Sequence, residues 1–301
     1  MAVDLTECLV VGISSRALFD LSHEDGLFTS EGLDAYRAYQ MENEHRVLEP
    51  GTGFPLVKAI LRLNETLPGD RRTEVVVMSR NSSETSLRIF NSIDHYGLDI
   101  TRAALTGGAP LSPYLRAFRV DLLLSQHEDD VQAGINAGIA SALLYSRPSC
   151  LNEEINQIRI AFDGDAVLFS DESERIFKEH GLEAFVRHEA DNARRPLPEG
   201  PFARFLKSLA AIQKLAGTTV PPIRTALVTA RSRPAHERVI RTLRAWNVVV
   251  DEVFFLGGMK KMEVLEAFRP HIFFDDQDVH CGPASTVVPV GRVPYVERQT
   301  A

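Results

Sequence analysis

Short apolar runs alternate along the chain with longer stretches whose apolar residues recur every third or fourth position. The runs 8–13, 74–78, 103–106 and 121–124 read as buried strands, as do 158–162, 225–228, 252–256 and 271–274. Between them, Leu87, Phe90 and Ile93, and again Val239, Leu243 and Trp246, fall on one side of a helix. Phe205, Leu206, Leu209 and Ile212 mark a further helix whose apolar stripe belongs to a core rather than a pocket. Short strands separated by amphipathic helices predict an α/β fold, with parallel sheets flanked by helices on both faces. In such folds ligands collect at the carboxyl ends of the strands.

The pattern occurs twice. Leu18 and Phe19 fall on Leu168 and Phe169 at an offset of 150. The same offset carries Ser79 onto Thr229, Ser82 onto Ser232, Gly107 and Gly108 onto Gly257 and Gly258, and Leu115 and Phe118 onto Leu265 and Phe268. A constant offset over separated segments predicts two tandem Rossmann-like units, 1–150 and 151–301, meeting near 146–152 where Pro148 interrupts the pattern.

Candidate chemistry gathers at the strand ends of the second unit. Asp163 and Asp165 follow the run 158–162, with Gly164 between them allowing a sharp turn. Two carboxylates so placed suit covalent phosphoryl transfer, one attacking phosphorus and the other moving protons. An Asp-Gly turn at a strand end explains the same residues without chemistry. Thr229 could bond a phosphate oxygen or cap a helix. Lys260 and Lys261 could neutralise a transferring phosphoryl group or simply be solvated. Asp275 and Asp276 follow the apolar run 271–274, where desolvated carboxylates call for a hard cation such as Mg2+, or cap the next turn, which explains Asp276 more easily than Asp275. In the first unit the offset replaces Asp163, Asp165, Thr229, Lys261, Asp275 and Asp276 by Ile13, Ser15, Ser79, Leu111, Ser125 and Gln126, so that unit lacks this chemistry. A structural or subunit-interface role is the first expectation for it, ahead of effector binding.

Asp-x-Asp, Thr, Lys and Asp-Asp in that order form the four-motif pattern of the haloacid dehalogenase superfamily. Longer stretches are more specific: the Ser-Ser-Arg-Ala-Leu-Phe-Asp that starts at Ser14, the Ser-Arg-Asn-Ser that starts at Ser79, the Phe-Asp-Gly-Asp-Ala-Val-Leu-Phe that starts at Phe162, the Val-Thr-Ala-Arg-Ser that starts at Val228, and the Phe-Asp-Asp-Gln that ends at Gln277. Over nearly its whole length the chain resembles the cytosolic 5′-nucleotidase type I family. The resemblance implies Mg2+-dependent hydrolysis of nucleoside 5′-monophosphates through an aspartyl-phosphate. It implies Asp163 as nucleophile and metal ligand, Asp165 as general acid and base, Thr229 and a lysine on the phosphate, and Asp275 on the metal, with Asp163, Asp165, Asp275 and Asp276 as the metal-site candidates. Lys261 matches the family's lysine, and Lys260 stands where the family has proline. A cap insertion around 170–224 should select substrate, with Phe185, His188 and Arg194 as candidates beside Arg231 and Lys260. A helical surface can carry such residues without a ligand. A phosphatase of another small phosphomonoester and a non-catalytic nucleotide-binding regulator are the competing readings.

Composition narrows the partners. A net charge of −8 argues against a nucleic-acid surface, which needs clustered Lys and Arg. No run approaches a membrane span, and no basic segment precedes an apolar stretch at the start. Cys8, Cys150 and Cys281 are odd in number and form no metal pattern, as expected of free thiols in a reducing, cytoplasmic setting. A homo-oligomer is left open.

Overall fold

The structure, a computed structural model, describes residues 5–67, 71–146, 148, 157–216 and 221–296. Most of the expected boundary at 146–152, and Cys150, lie outside the described residues. Cys8 and Cys281 are free thiols.

Ten strands build the sheet: β1 (Leu9–Ile13), β2 (Thr73–Ser79), β3 (Arg102–Leu105), β4 (Leu122–Ser125), β5 (Ala140–Leu144), β6 (Ile158–Phe162), β7 (Ile223–Thr229), β8 (Glu252–Phe255), β9 (Ile272–Asp275) and β10 (Val290–Arg292). Their order is β3-β2-β1-β4-β5-β10-β9-β6-β7-β8. Outward from the middle, both halves run in the same sequence of connections. Each half is parallel throughout, and β5 and β10 meet antiparallel, Leu144 opposite Gly291 and Leu143 opposite Arg292.

The eight expected strands are all present, but they share one continuous sheet because of two short strands the hydrophobic pattern did not reveal. β5 reads Ala-Ser-Ala-Leu-Leu and β10 reads Val-Gly-Arg, neither with the β-branched run that marks a strand. Gly291 is needed at this joint, because a Cβ there would stand 2.9 Å from the Ala142 Cβ and 3.1 Å from the Phe274 ring.

One apolar cluster crosses the joint on one face of the sheet. It combines Val57 and Ile60 of the helix Phe54–Thr66 with Phe205, Leu206, Leu209 and Ile212 of the helix Ala203–Ala216. The opposite face carries two separate clusters, one around Leu115 and Leu123 and one around Leu265 and Phe273.

The stretch expected as a cap holds the helix Glu172–Asp191, bent at Gly181 where φ is +79°, followed by the core helix Ala203–Ala216. It is not peculiar to the second half. The first half has the helices Ser22–Glu31 and Leu33–Glu42, with Gly32 at φ +87° between them, and then the core helix Phe54–Thr66.

Candidate active site

β6 and β9 lie side by side, with Phe162 opposite Phe274, so the residues that follow them emerge together. The Asp163 backbone N–H donates to the Phe274 carbonyl at 2.8 Å, which locks the two strand ends. Asp163, Asp275 and Asp276 are all buried, and one carboxylate oxygen from each lies within 4.8 Å of the others. Lys261, the first residue of the helix Lys261–Phe268, donates from Nζ to Asp163 Oδ1 at 2.7 Å and Asp275 Oδ2 at 2.6 Å. Lys260 is exposed, which separates the two lysines.

Three carboxylates and one ammonium leave an excess of negative charge away from water. Burial pushes the Asp163 carboxyl up, against the pull of the Lys261 ammonium. Burial likewise pushes Asp276 up, helped by the charges of Asp163 and Glu174. Asp276 Oδ1 is buried with no hydrogen-bond partner. An orphaned, desolvated oxygen in an all-oxygen donor set fits a hard divalent cation.

Asp165 stands apart from this trio. Its carboxylate takes a forked pair of bonds from Arg231, 2.8 Å from Nε and 2.6 Å from Nη2. Arg231 also donates to the fully buried Glu189 and places its guanidinium 5.4 Å from the centre of the Phe185 ring. Burial opposes the charge of Arg231, but Asp165 and Glu189 hold its pKa above the ordinary value. Thr229, at the end of β7, is buried; its Oγ1 accepts from the Arg231 backbone N–H at 3.2 Å and lies 3.3 Å from where a Cβ on Gly164 would stand.

The other substrate candidates scatter. Phe185 is half-buried and meets Phe177 edge to face at 6.3 Å. His188 is taken up by Glu172 at 3.2 Å and by Arg238, and Arg194 is exposed.

Several residues that sequence reasoning passed over complete the site. Glu189 joins Ser173, Arg231 and Arg238. The Tyr295 hydroxyl contacts both Glu174, at 3.0 Å, and Asp276. Gln277 Nε2 donates to Glu174 at 3.0 Å. Two signals were available at the same offset: Arg238, whose counterpart is Arg88, also buried and also ion-paired, to Glu24 at 2.5 Å, and Glu174, whose counterpart is that same Glu24.

The fold and site together define an α/β protein with a buried acidic cluster, neutralised in part by one lysine, at the carboxyl ends of parallel strands. The chain belongs to the 5′-nucleotidase family, whose model matches residues 1–300. It is 40% identical over 282 residues to human cytosolic 5′-nucleotidase 1B, a match covering 90% of this chain and 46% of that protein. The chain thus spans about half the length of the curated relative it matches. No solved structure matches it. No helix among the described residues is long and apolar enough to cross a membrane.

Proposed function

We propose that the chain is a Mg2+-dependent 5′-nucleotidase of the cytosol that releases phosphate from nucleoside 5′-monophosphates by haloacid-dehalogenase chemistry. The observation that carries this reading is the buried trio Asp163, Asp275 and Asp276 with Lys261 between two of its members, in a chain of the 5′-nucleotidase family. Two tandem units, with the second alone catalytic, and a substrate-selecting role for the helix Glu172–Asp191 belong to the same proposal.

In this mechanism Asp163 attacks phosphorus, the bond from phosphorus to the 5′ oxygen breaks, and Asp165 protonates that leaving oxygen. Asp165 then takes a proton from water, which attacks the aspartyl-phosphate and frees phosphate and Asp163. The Arg231 fork occupies both Asp165 oxygens, so proton transfer to the leaving oxygen requires Asp165 to move off Arg231. Asp163, Asp275 and Asp276 would hold Mg2+, which would supply charge neutralisation for the phosphoryl oxygens. Lys261 orients the Asp163 carboxylate, opposes the upward push of burial on it, and adds positive charge beside the transferred group. Thr229 offers a hydroxyl to a phosphate oxygen. Phe185, against Arg231, offers a face to the base.

The test is phosphate release from 5′-, 3′- and 2′-nucleotides and sugar phosphates, with Mg2+ or EDTA, for wild type and Asp163→Asn. Release confined to 5′-monophosphates, dependent on Mg2+ and lowered at least about a thousandfold in the variant, is expected. Equal turnover of sugar phosphates removes the substrate claim, and tight nucleotide binding without turnover leaves a binding protein.

A further inference from the structure

The first half holds a cavity of about 550 Å3 at the carboxyl ends of β1, β2 and β4, roofed by the helices Ser22–Glu31 and Leu33–Glu42. Its position in the first half is that of the acidic cluster in the second. Ser15, Ser79 and Ser125 form the floor where Asp165, Thr229 and Asp275 stand. Ser15 Oγ and Ser79 Oγ are 3.0 Å apart, and the backbone N–H groups of Asn81 and His127 donate to Ser79 and Ser125. The side-chain nitrogen of Asn81, on the cavity wall, is buried without a full hydrogen bond, the Tyr36 hydroxyl being its weak partner.

Two changes accompany the loss of the carboxylates. Arg16 and Arg80 line the cavity where the second half has Ala166 and Ala230. Each keeps one acidic neighbour, Arg16 with Asp25 and Arg80 with Asp130; Arg80 meets Asp130 through Nε and Nη2, leaving Nη1 out of that contact. A floor of hydroxyls with guanidiniums beside it accepts a phosphate that the acidic floor of the second half would repel without a cation. The aromatic wall persists. Phe28 and Tyr36 meet edge to face at 6.0 Å, as Phe177 and Phe185 do at 6.3 Å, each pair spanning the bend at Gly32 or Gly181. Phe28 is 48% exposed, so packing alone does not account for an aromatic there.

We propose that this cavity is a second ligand site, which binds a nucleoside phosphate without a divalent cation and without turnover. Its phosphate lies over Ser15, Ser79 and Asn81, and its base lies against Phe28 and Tyr36. Ile13 at the position of Asp163 removes the nucleophile, so the ligand leaves unchanged. The site goes beyond the activity proposed above and does not depend on it.

The experiment is calorimetric titration of the full chain in EDTA with the adenosine, guanosine, cytidine and uridine 5′-monophosphates, with inorganic phosphate and the nucleosides as controls. Wild type, Phe28→Ala and Asn81→Asp are compared, and circular dichroism spectra check that each is folded. The expected result is one equivalent of a monophosphate bound in EDTA, more weakly by about tenfold or more in each variant, with phosphate or nucleoside alone weaker than the monophosphate. No binding in EDTA, or binding that both variants leave unchanged, overturns the proposal. Mg2+-dependent phosphate release is read separately, so loss of this site and loss of the nucleotidase reading give different results.

Discussion

Glu189 is fully buried, and its loss of hydration is offset by Arg231, Arg238 and the Ser173 hydroxyl. Glu189→Gln would leave two buried guanidiniums facing a neutral amide. A loss of about 3 kcal/mol in urea unfolding is expected, with a fall in kcat because Arg231 no longer holds Asp165 in place. His271 gives the pH dependence. It is buried, and its Nδ1 accepts from the Arg159 backbone N–H at 3.1 Å. Burial lowers its pKa to about 4 from an ordinary 6.5. Between those values the unfolded chain takes up a proton that the folded chain refuses, so His271's contribution is complete above pH 6.5 and declines as pH falls toward 4. The expected loss is about 3 kcal/mol, read as the difference in urea unfolding between wild type and His271→Gln across that range, because the buried Asp163 and Asp276 carboxyls, pushed up, act there with the opposite sign. At this scale the sequence revealed what sits at strand ends, because a polar residue straight after an apolar run stands out. Asp163, Thr229 and Asp275 have that signature, with Asp165 and Asp276 close behind, whereas Lys261, at a helix start beyond β8, was reached only through the order of the motifs. Glu189 and Tyr295 lack it, because each acquires its role from a partner 42 or 121 positions away.

Among the elements, the β5–β10 joint is the most exacting. Gly291→Val would drive a side chain into Ala142 and the Phe274 ring. A destabilisation of about 1–3 kcal/mol is expected in thermal unfolding, with reduced phosphate release because Phe274 anchors Asp163. The strands that sequence patterning found are those with continuous apolar runs, whether central or, like β3 and β8, at the sheet edge. It missed β5 and β10, which are held by register and close approach rather than by hydrophobic length. The helices Ser22–Glu31 and Leu33–Glu42 were also invisible as separate elements. They expose Phe28, Leu33 and Met41, so no clean apolar stripe sets them off from a loop.

For the molecule as a whole, the cluster that crosses the joint makes the two halves one cooperative body. Urea unfolding followed by the fluorescence of Trp246, the single tryptophan, and by far-UV circular dichroism should therefore give coincident curves, whereas independent halves would separate them. Saturating Mg2+ should raise the whole transition, by about 2.7 kcal/mol at a hundredfold excess over its Kd, and Asp276→Asn should remove most of that gain. The antiparallel joint has a consequence of its own. Strands of the two halves point in opposite directions, so the acidic cluster and the first-half cavity open on opposite margins of the sheet and are approached independently. The pairing of equivalent edges is also what two identical subunits form across a two-fold axis, an isologous contact. Carried within one polypeptide, that contact no longer depends on concentration. It also removes two edges from solvent, and the outer strands that remain, β3 and β8, carry Arg102 and Glu252, each in an ion pair with its neighbouring strand. Within one polypeptide the two sides of that contact need not be identical, so the first half can carry Ile13, Ser125 and Gln126 where the second carries Asp163, Asp275 and Asp276.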